Sequence, residues 1–587
     1  MEIFLIYAAL GAALAVLGCL VSFSKYRSAY IASAVVAGLL IGLAGWSFVP
    51  AVNGWFSMCW YLCFFAFAIG CAFGCIRSDY EAPNITGFGA LVSVIIGFWI
   101  VGFMTTDPLF RWEGYRDLMG PVKEAQTFDK DVAPIDTKKL RVVNGVYAVR
   151  IADKLLGEQQ GLGSQVDLGR MHISQMNGCF EATTLGALAP QKVCFEHELV
   201  WVAPLVHSGF FRWFTNHATH GYVLVSASDP ERKLLVTAVN GNPVDLRYMA
   251  EGAHWNDYLI RHLRGHGYAG FGLTEPTFEL DDAGKPWWVV TTYQKRVGFS
   301  GDDATGVVVV DPSTGATNWY NMKNVPAWVD RVVPEGMAIE QFDNQGRFVG
   351  GWMNSWTSKF GMYQTSTDFL HLVEGVNGRT YWYTGITSVG NDQSTTGFIL
   401  IDTKTKEVRR YKIPGAIEDA SRSSVENYPE VKKARYGAGE AILYNMGGVP
   451  TYFMTLSGND SIPRMYAFAS VRDYQIVAAS ESIDDALRLY QDALQEKPGA
   501  AFEQKTVTTA TAEGVIVRIA ENPDGKSRWM LLTVGKASQE YSILSALSPE
   551  VKYAEAKDRV RLEYEPGAGK LLPRVKKFDD LELELTK

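Results

Sequence analysis

Four histidines fall within one short stretch of this 587-residue chain: His197, His207, His217 and His220. His217 and His220 stand three residues apart, and with His207 upstream they would supply three imidazole nitrogens. Three protein ligands with one open position is the arrangement of a catalytic zinc centre. The segment has no cysteine to support them and no Glu at zincin spacing. Loop histidines are more often solvated or locally hydrogen-bonded, so metal chemistry is the lesser reading here. Other signatures are absent: no Gly-x-Ser-x-Gly elbow, no Gly-x-x-x-x-Gly-Lys loop, no His-Glu-x-x-His helix. No catalytic residue and no cofactor is assigned.

Cysteines offer a second chemistry. Five of the seven, Cys19, Cys59, Cys63, Cys71 and Cys75, lie in apolar runs near the N-terminus, where small buried thiols pack helices. The soluble remainder holds only Cys179 and Cys194, with 14 residues between them. A lone pair at that distance predicts a disulfide closing a hairpin-sized loop in an oxidising compartment. A third feature is the run Phe210-Phe211-Arg212-Trp213-Phe214. Four aromatics around one arginine suit the headgroup level of a bilayer. Packing against a neighbouring repeat explains them equally well.

The elements that position these residues begin with an anchor. Residues 3–23, 29–49, 55–76 and 86–106 are apolar runs of about 20 residues, and every charge before residue 106 lies outside them. Such runs cross a hydrocarbon core as helices, with all backbone groups bonded internally. The loops carrying Lys25, Arg27 and Arg77 predict a cytoplasmic side, which places both chain ends and the soluble part outside. Arg111 and Arg116 argue the other way, although long domains cross largely regardless of charge. Gly11, Ala12 and Ala13 in the first run, with Gly38, Gly42 and Gly45 in the second, permit close helix contact and a possible homo-oligomer.

Beyond a linker (107–140), the soluble part repeats itself. Gly284, Trp287 and Trp288 recur 94 residues later as Gly378, Tyr381 and Trp382; Gly306, Asp311 and Tyr320 recur 91 later as Gly397, Asp402 and Tyr411. Each copy reads as an antiparallel meander with Gly-containing turns, and each Asp as a turn residue bonding local backbone. Weaker copies flank the pair, giving α+β units at 141–250, 251–335, 336–420 and 421–497, each a helix on a β-meander. The segment Gly306-Val-Val-Val-Val-Asp311-Pro-Ser-Thr-Gly315 resembles the Gly-x-Val-x-Val-Asp-x-x-Thr-Gly signature of PepSY domains. The second copy keeps Gly397 and Asp402 and has Lys406 where the last Gly would stand. The resemblance implies extracytoplasmic binding modules associated with restraint of peptidases, without an active site of their own.

Five evenly spaced strand-like segments in 502–587 predict a small β-barrel, similar to OB-folds. That stretch carries 14 basic and 14 acidic residues, and the whole chain has net charge −8. Nucleic-acid binding needs concentrated basic surface, and none is expected. The fold class is therefore a four-helix membrane bundle (1–106), then α+β repeats, then a C-terminal barrel. The functional expectation is an inner-membrane, multi-pass scaffold or binding protein of the envelope, contacting lipid and a protein or peptide partner. An envelope metalloenzyme using His207, His217 and His220, or a regulatory subunit of a channel or transporter, stands as the alternative.

Overall fold

Length and apolarity decide the N-terminal architecture. Four helices, Glu2–Val21 (α1), Arg27–Phe48 (α2), Ser57–Ile76 (α3) and Pro83–Thr106 (α4), are long and apolar enough to cross a membrane. The structure is a computed structural model that describes residues 2–583, except 23, 25, 77–82, 126–127, 129, 133, 135, 137–138, 159–164, 186–188, 368–369, 377, 390–393, 447, 497–508, 522–526, 536, 546 and 566–572. Lys25 and Arg77 of the charge argument, and the turn read at 522–525, lie outside the described residues.

Small residues bring three of the helices together. A Cβ on Gly18 would lie 2.4 Å from the Phe67 carbonyl oxygen, and one on Gly70 would lie 2.0 Å from that of Ala15. Gly11 meets Ile41, Gly42 meets Phe4 and Ala8, and Gly45 meets Tyr7. The glycines expected to permit close helix contact do so within one chain. The fourth helix joins through Phe98, whose ring lies 5.8 Å from Trp60 and 5.1 Å from Phe64.

The chain divides into two compact units, Met1–Lys497 and Pro498–Lys587. In the first, the helix Gly145–Gly157 is capped by Asn144, whose side chain accepts from the Tyr147 N–H at 2.8 Å. It packs on strands whose pairings run in a ring: His172–Thr184 with Gln191–His207, then Tyr222–Ser226, then Lys233–Val239, then back to the first. This is more elaborate than a three-stranded meander. A four-stranded meander follows: Gly272–Leu280, Pro286–Val297, Ser300–Val310, Thr317–Asn321. The run Val307–Val310 is continuously apolar because both faces are covered. Val308 and Val310 pack with Phe278 and Trp288, while Val307 and Val309 pack with Val329 and Val332.

A third sheet contains Thr380–Ser388, Gly397–Asp402 and Val408–Tyr411 and is covered by the helix Glu335–Arg347. A fourth has Val449–Ser457 and Pro463–Ser470 at its centre, with the helix Ile483–Glu496 beside it. Cores run across the sequence boundaries. Met176 and Phe180 share one with Phe278 and Trp288, and Tyr383 and Phe398 share another with Tyr452 and Met454.

Two turns are built alike. Asp311 Oδ1 accepts from the N–H groups of Ser313 and Thr314 at 2.8 and 3.2 Å; Asp402 Oδ1 accepts from those of Lys404 and Thr405 at 2.9 and 2.8 Å. Each turn closes on a residue with positive φ, Gly315 at 73° and Lys406 at 64°. A Lys there carries a steric cost of about 1 kcal/mol. Its ammonium is fixed by the Leu118 carbonyl and Asp303, both at 2.6 Å.

The second unit is a closed five-stranded barrel of Ala510–Glu521, Ser527–Val534, Ala537–Leu544, Arg574–Asp580 and Arg559–Glu565, in that spatial order. Tyr541, Met530, Ile543 and Leu562 fill it.

Candidate functional site

The β-rich body of the first unit is fastened to one end of the bundle. Arg261 Nε donates to the Trp46 carbonyl at 3.0 Å, with its guanidinium 4.2 Å from the Trp46 ring centre. Arg264 is buried and donates to the carbonyls of Val49, Tyr268 and Phe271. Burial pulls its pKa down to about 10, so it stays charged at neutral pH. The Val52 N–H donates to the Ala269 carbonyl at 2.8 Å, and Asn53 to that of Gly270 at 3.0 Å. On the same side, the Phe299 ring sits 6.5 Å from Trp55 and 5.0 Å from Phe98.

The aromatic segment lies close to this junction and divides in two. Residues Phe210–Thr215 form a short helix. Trp213 is 1% exposed, packed edge-on against His217, His254 and Trp255 at 4.8, 5.4 and 5.3 Å. Phe211 is 81% exposed, and Phe210, Phe214 and Trp255 are exposed beside it, as is Arg212. Trp213 therefore follows the packing alternative, and the other rings face outward.

The histidines are not gathered into one ligand set. His217 Nδ1 pairs with Asp257 at 2.9 Å, and Asp257 also receives Arg247 at 2.9 Å. His220 Nδ1 pairs with Asp245 at 2.7 Å. His207 is buried, which lowers its pKa and keeps the ring neutral. Among the described residues, no group of three or more His, Cys, Asp and Glu is placed to hold a metal ion. Cys179 and Cys194 stand directly opposite each other in register and form a disulfide with S–S 2.06 Å.

A cavity of about 160 Å³ lies where the first, third and fourth sheets meet. Lys139, Arg141, His197, Glu198, Glu374 and Tyr444 line it. Burial pushes the Glu374 carboxyl up to about 7, against the pull of Lys139. A carboxyl with a raised native pKa leaves full stability below its unfolded pKa and loses it as pH rises through 7. Glu374→Gln should therefore match the parent near pH 4 and exceed it by about 1–3 kcal/mol at pH 8. Amide hydrogen-exchange protection of His371–Glu374, compared between the two proteins at each pH, checks this.

One sheet edge is extended by the chain itself. The linker segment Val122–Ala125 adds as a parallel strand to Val408–Tyr411, with Val122 opposite Val408 and Glu124 opposite Arg410. Lys123 pairs with Glu407 at 2.9 Å, and Glu124 with Lys412 at 3.3 Å. The matching strand of the preceding sheet, Thr317–Asn321, ends its sheet with no strand beyond it among the described residues. The Asp311 N–H bonds the Ala316 carbonyl at 2.9 Å, and antiparallel pairs alternate. Thr317 and Trp319 thus turn their backbone N–H and C=O groups to the open edge, as Val408 and Arg410 do toward the linker strand; the Asn321 carbonyl is taken by the Asn324 N–H at 3.0 Å.

Sequence reasoning missed Arg261, Arg264 and the linker strand. The signal for the arginines was two cations within a short helix, Leu259–Gly265, that also carries Leu259 and Leu263 in the core.

No family model matches this sequence, and neither does any curated protein. Among solved structures, it is similar to a murine DNA-binding protein bound to double-stranded DNA at 13% identity, over 26% of this chain and 97% of that one, with a TM-score of 0.11. It is also similar to a HINb domain at 10% identity, over 24% of this chain and 92% of that one, with a TM-score of 0.10. Likenesses at these scores carry no argument about fold or partner.

Proposed function

We propose that this chain is a membrane-anchored recognition protein whose soluble body faces away from the cytoplasm and binds an extended segment of a protein partner. The observation that carries the reading is the linker strand on Val408–Tyr411, set beside the open edge of Thr317–Asn321. The chain completes one sheet by strand addition and leaves the corresponding strand of another free. Main-chain bonds along such an edge supply affinity, and the flanking side chains supply selectivity. Trp319 and Tyr320 beside the edge favour a partner strand of β-branched or aromatic residues over a charged one.

The Cys179–Cys194 disulfide supports an oxidising compartment and so an extracytoplasmic body in the plasma membrane. The two alike turns at Asp311 and Asp402 support the reading of these sheets as copies of one α+β unit, similar to PepSY domains. The order of the C-terminal strands supports a barrel similar to OB-folds.

The test places a photo-reactive side chain at Asn318 in the full-length chain in its native membrane. Illumination should give a discrete cross-linked product that disappears when Thr317→Pro removes an outward N–H from the edge. No product in the parent, or one indifferent to Thr317→Pro, rejects strand addition at this edge.

A further inference from the structure

The exposed aromatics of the first unit fall in two groups, each continuous with the bundle. In the first, Phe210 and Phe214 flank Trp255, each 6.1 Å from its ring, and Phe211 lies 5.6 Å from Phe210. The Trp255 carbonyl receives Arg261 Nη1 at 2.5 Å, and the same guanidinium lies over Trp46, two residues before α2 ends. This group is therefore one side chain away from the end of a span.

The second group lies on the short helix Gly351–Trp356 and the turn after it. Met353 is 60% exposed, Trp356 74% and Phe360 84%. Its link to the bundle is the helix Pro108–Asp117 (α5), which begins two residues after α4 ends. The Phe110 ring of α5 meets Phe103 of α4 at 5.5 Å, and both are half exposed. Trp112 lies against the backbone of Gly351, where an added Cβ would sit 3.7 Å from the ring. Trp352, next in sequence, stacks with Trp356 at 6.3 Å. A chain of ring contacts thus links α4 through α5 to Trp356.

Large aromatics at such exposure are costly in water and are stable at the headgroup level, where ring and backbone polarity are both served. Arg111, Arg212 and Lys359 are exposed beside these groups and suit lipid phosphates. We propose that both aromatic groups are seated in the headgroup layer of the bilayer that holds α1–α4, so that the soluble body lies on the membrane at two points. The partner is a lipid surface, and the inference is independent of the strand-addition reading.

The experiment uses the full chain in nanodiscs of phosphatidylcholine and phosphatidylglycerol. A nitroxide is coupled to p-acetylphenylalanine placed singly at Phe211, at Phe360 and, as a solvent reference, at Glu231. These sites are chosen because their side chains are mostly exposed and their replacement leaves packing intact. Collision rates with oxygen and with a water-soluble nickel chelate are then compared by electron paramagnetic resonance. The oxygen-to-nickel ratio at both Phe211 and Phe360 should exceed that at Glu231 several-fold. A ratio equal to the reference at either aromatic site overturns the two-point seat.

Discussion

Replacing Asp330 with alanine is expected to cost the first unit about 3–5 kcal/mol, because it strips a buried carboxylate from a junction of three sheets. Asp330 is 3% exposed. Its Oδ2 accepts from Ser174 Oγ and from the Gln175 N–H, both at 2.7 Å, on the strand His172–Thr184. Its carbonyl accepts from Thr380 at 2.9 Å and Thr403 at 2.6 Å, in the third sheet. Its N–H donates to Glu279 of the second sheet at 2.9 Å. Alanine keeps the backbone bonds and leaves the Ser174 hydroxyl and the Gln175 N–H without an acceptor in a site that water does not reach.

Asparagine keeps one carbonyl acceptor and should cost about 1–2 kcal/mol. Amide hydrogen exchange is the suitable readout, since a chain of several units does not unfold in one step. In Asp330→Ala, exchange should accelerate together in His172–Thr184 and Thr380–Ser388. Acceleration confined to one of these strands would mean that Asp330 serves one sheet and does not couple them.

What was legible in the sequence was local. Four helices of spanning length were readable because hydrocarbon thickness fixes the apolar run a span needs whatever surrounds it. The turn roles of Asp311 and Asp402 were readable because their partners lie two and three residues away. The disulfide followed from Cys179 and Cys194 being the only thiols outside the anchor. Long-range partners were not legible. His217 and His220 suggested a shared metal by spacing, whereas Asp257 and Asp245, 40 and 25 residues away, take them separately. The linker strand Val122-Lys-Glu-Ala125 has no alternation to announce it, since it fills an edge and buries little. Trp213 and Phe211, two residues apart, were read as one surface; helix geometry turns one into the core and the other out.

Arg264 is the residue on which the attachment of body to bundle depends most. Its guanidinium spans from the Val49 carbonyl, past the end of α2, to those of Tyr268 and Phe271 in the body. A planar fork with five donors on three nitrogens reaches carbonyls on both sides of the junction, a wider span than the three donors of a single ammonium nitrogen. Arg264→Ala should cost about 2–4 kcal/mol by taking the guanidinium from the Val49 and Phe271 carbonyls, while the Tyr268 carbonyl keeps the Phe271 N–H. Arg264→Lys should recover only part, because a point charge reaches one side of the junction at a time. Arg261→Ala removes a half-exposed contact on Trp46 and should cost about 1 kcal/mol. The loss should be local. Exchange at the Val52 N–H, which bonds Ala269, should rise by orders of magnitude in Arg264→Ala, while the hairpin closed by Cys179–Cys194 keeps its protection. If Val52 stays protected, Phe299 between Trp55 and Phe98 holds the junction without the arginine, and the body is fastened by its aromatic contacts.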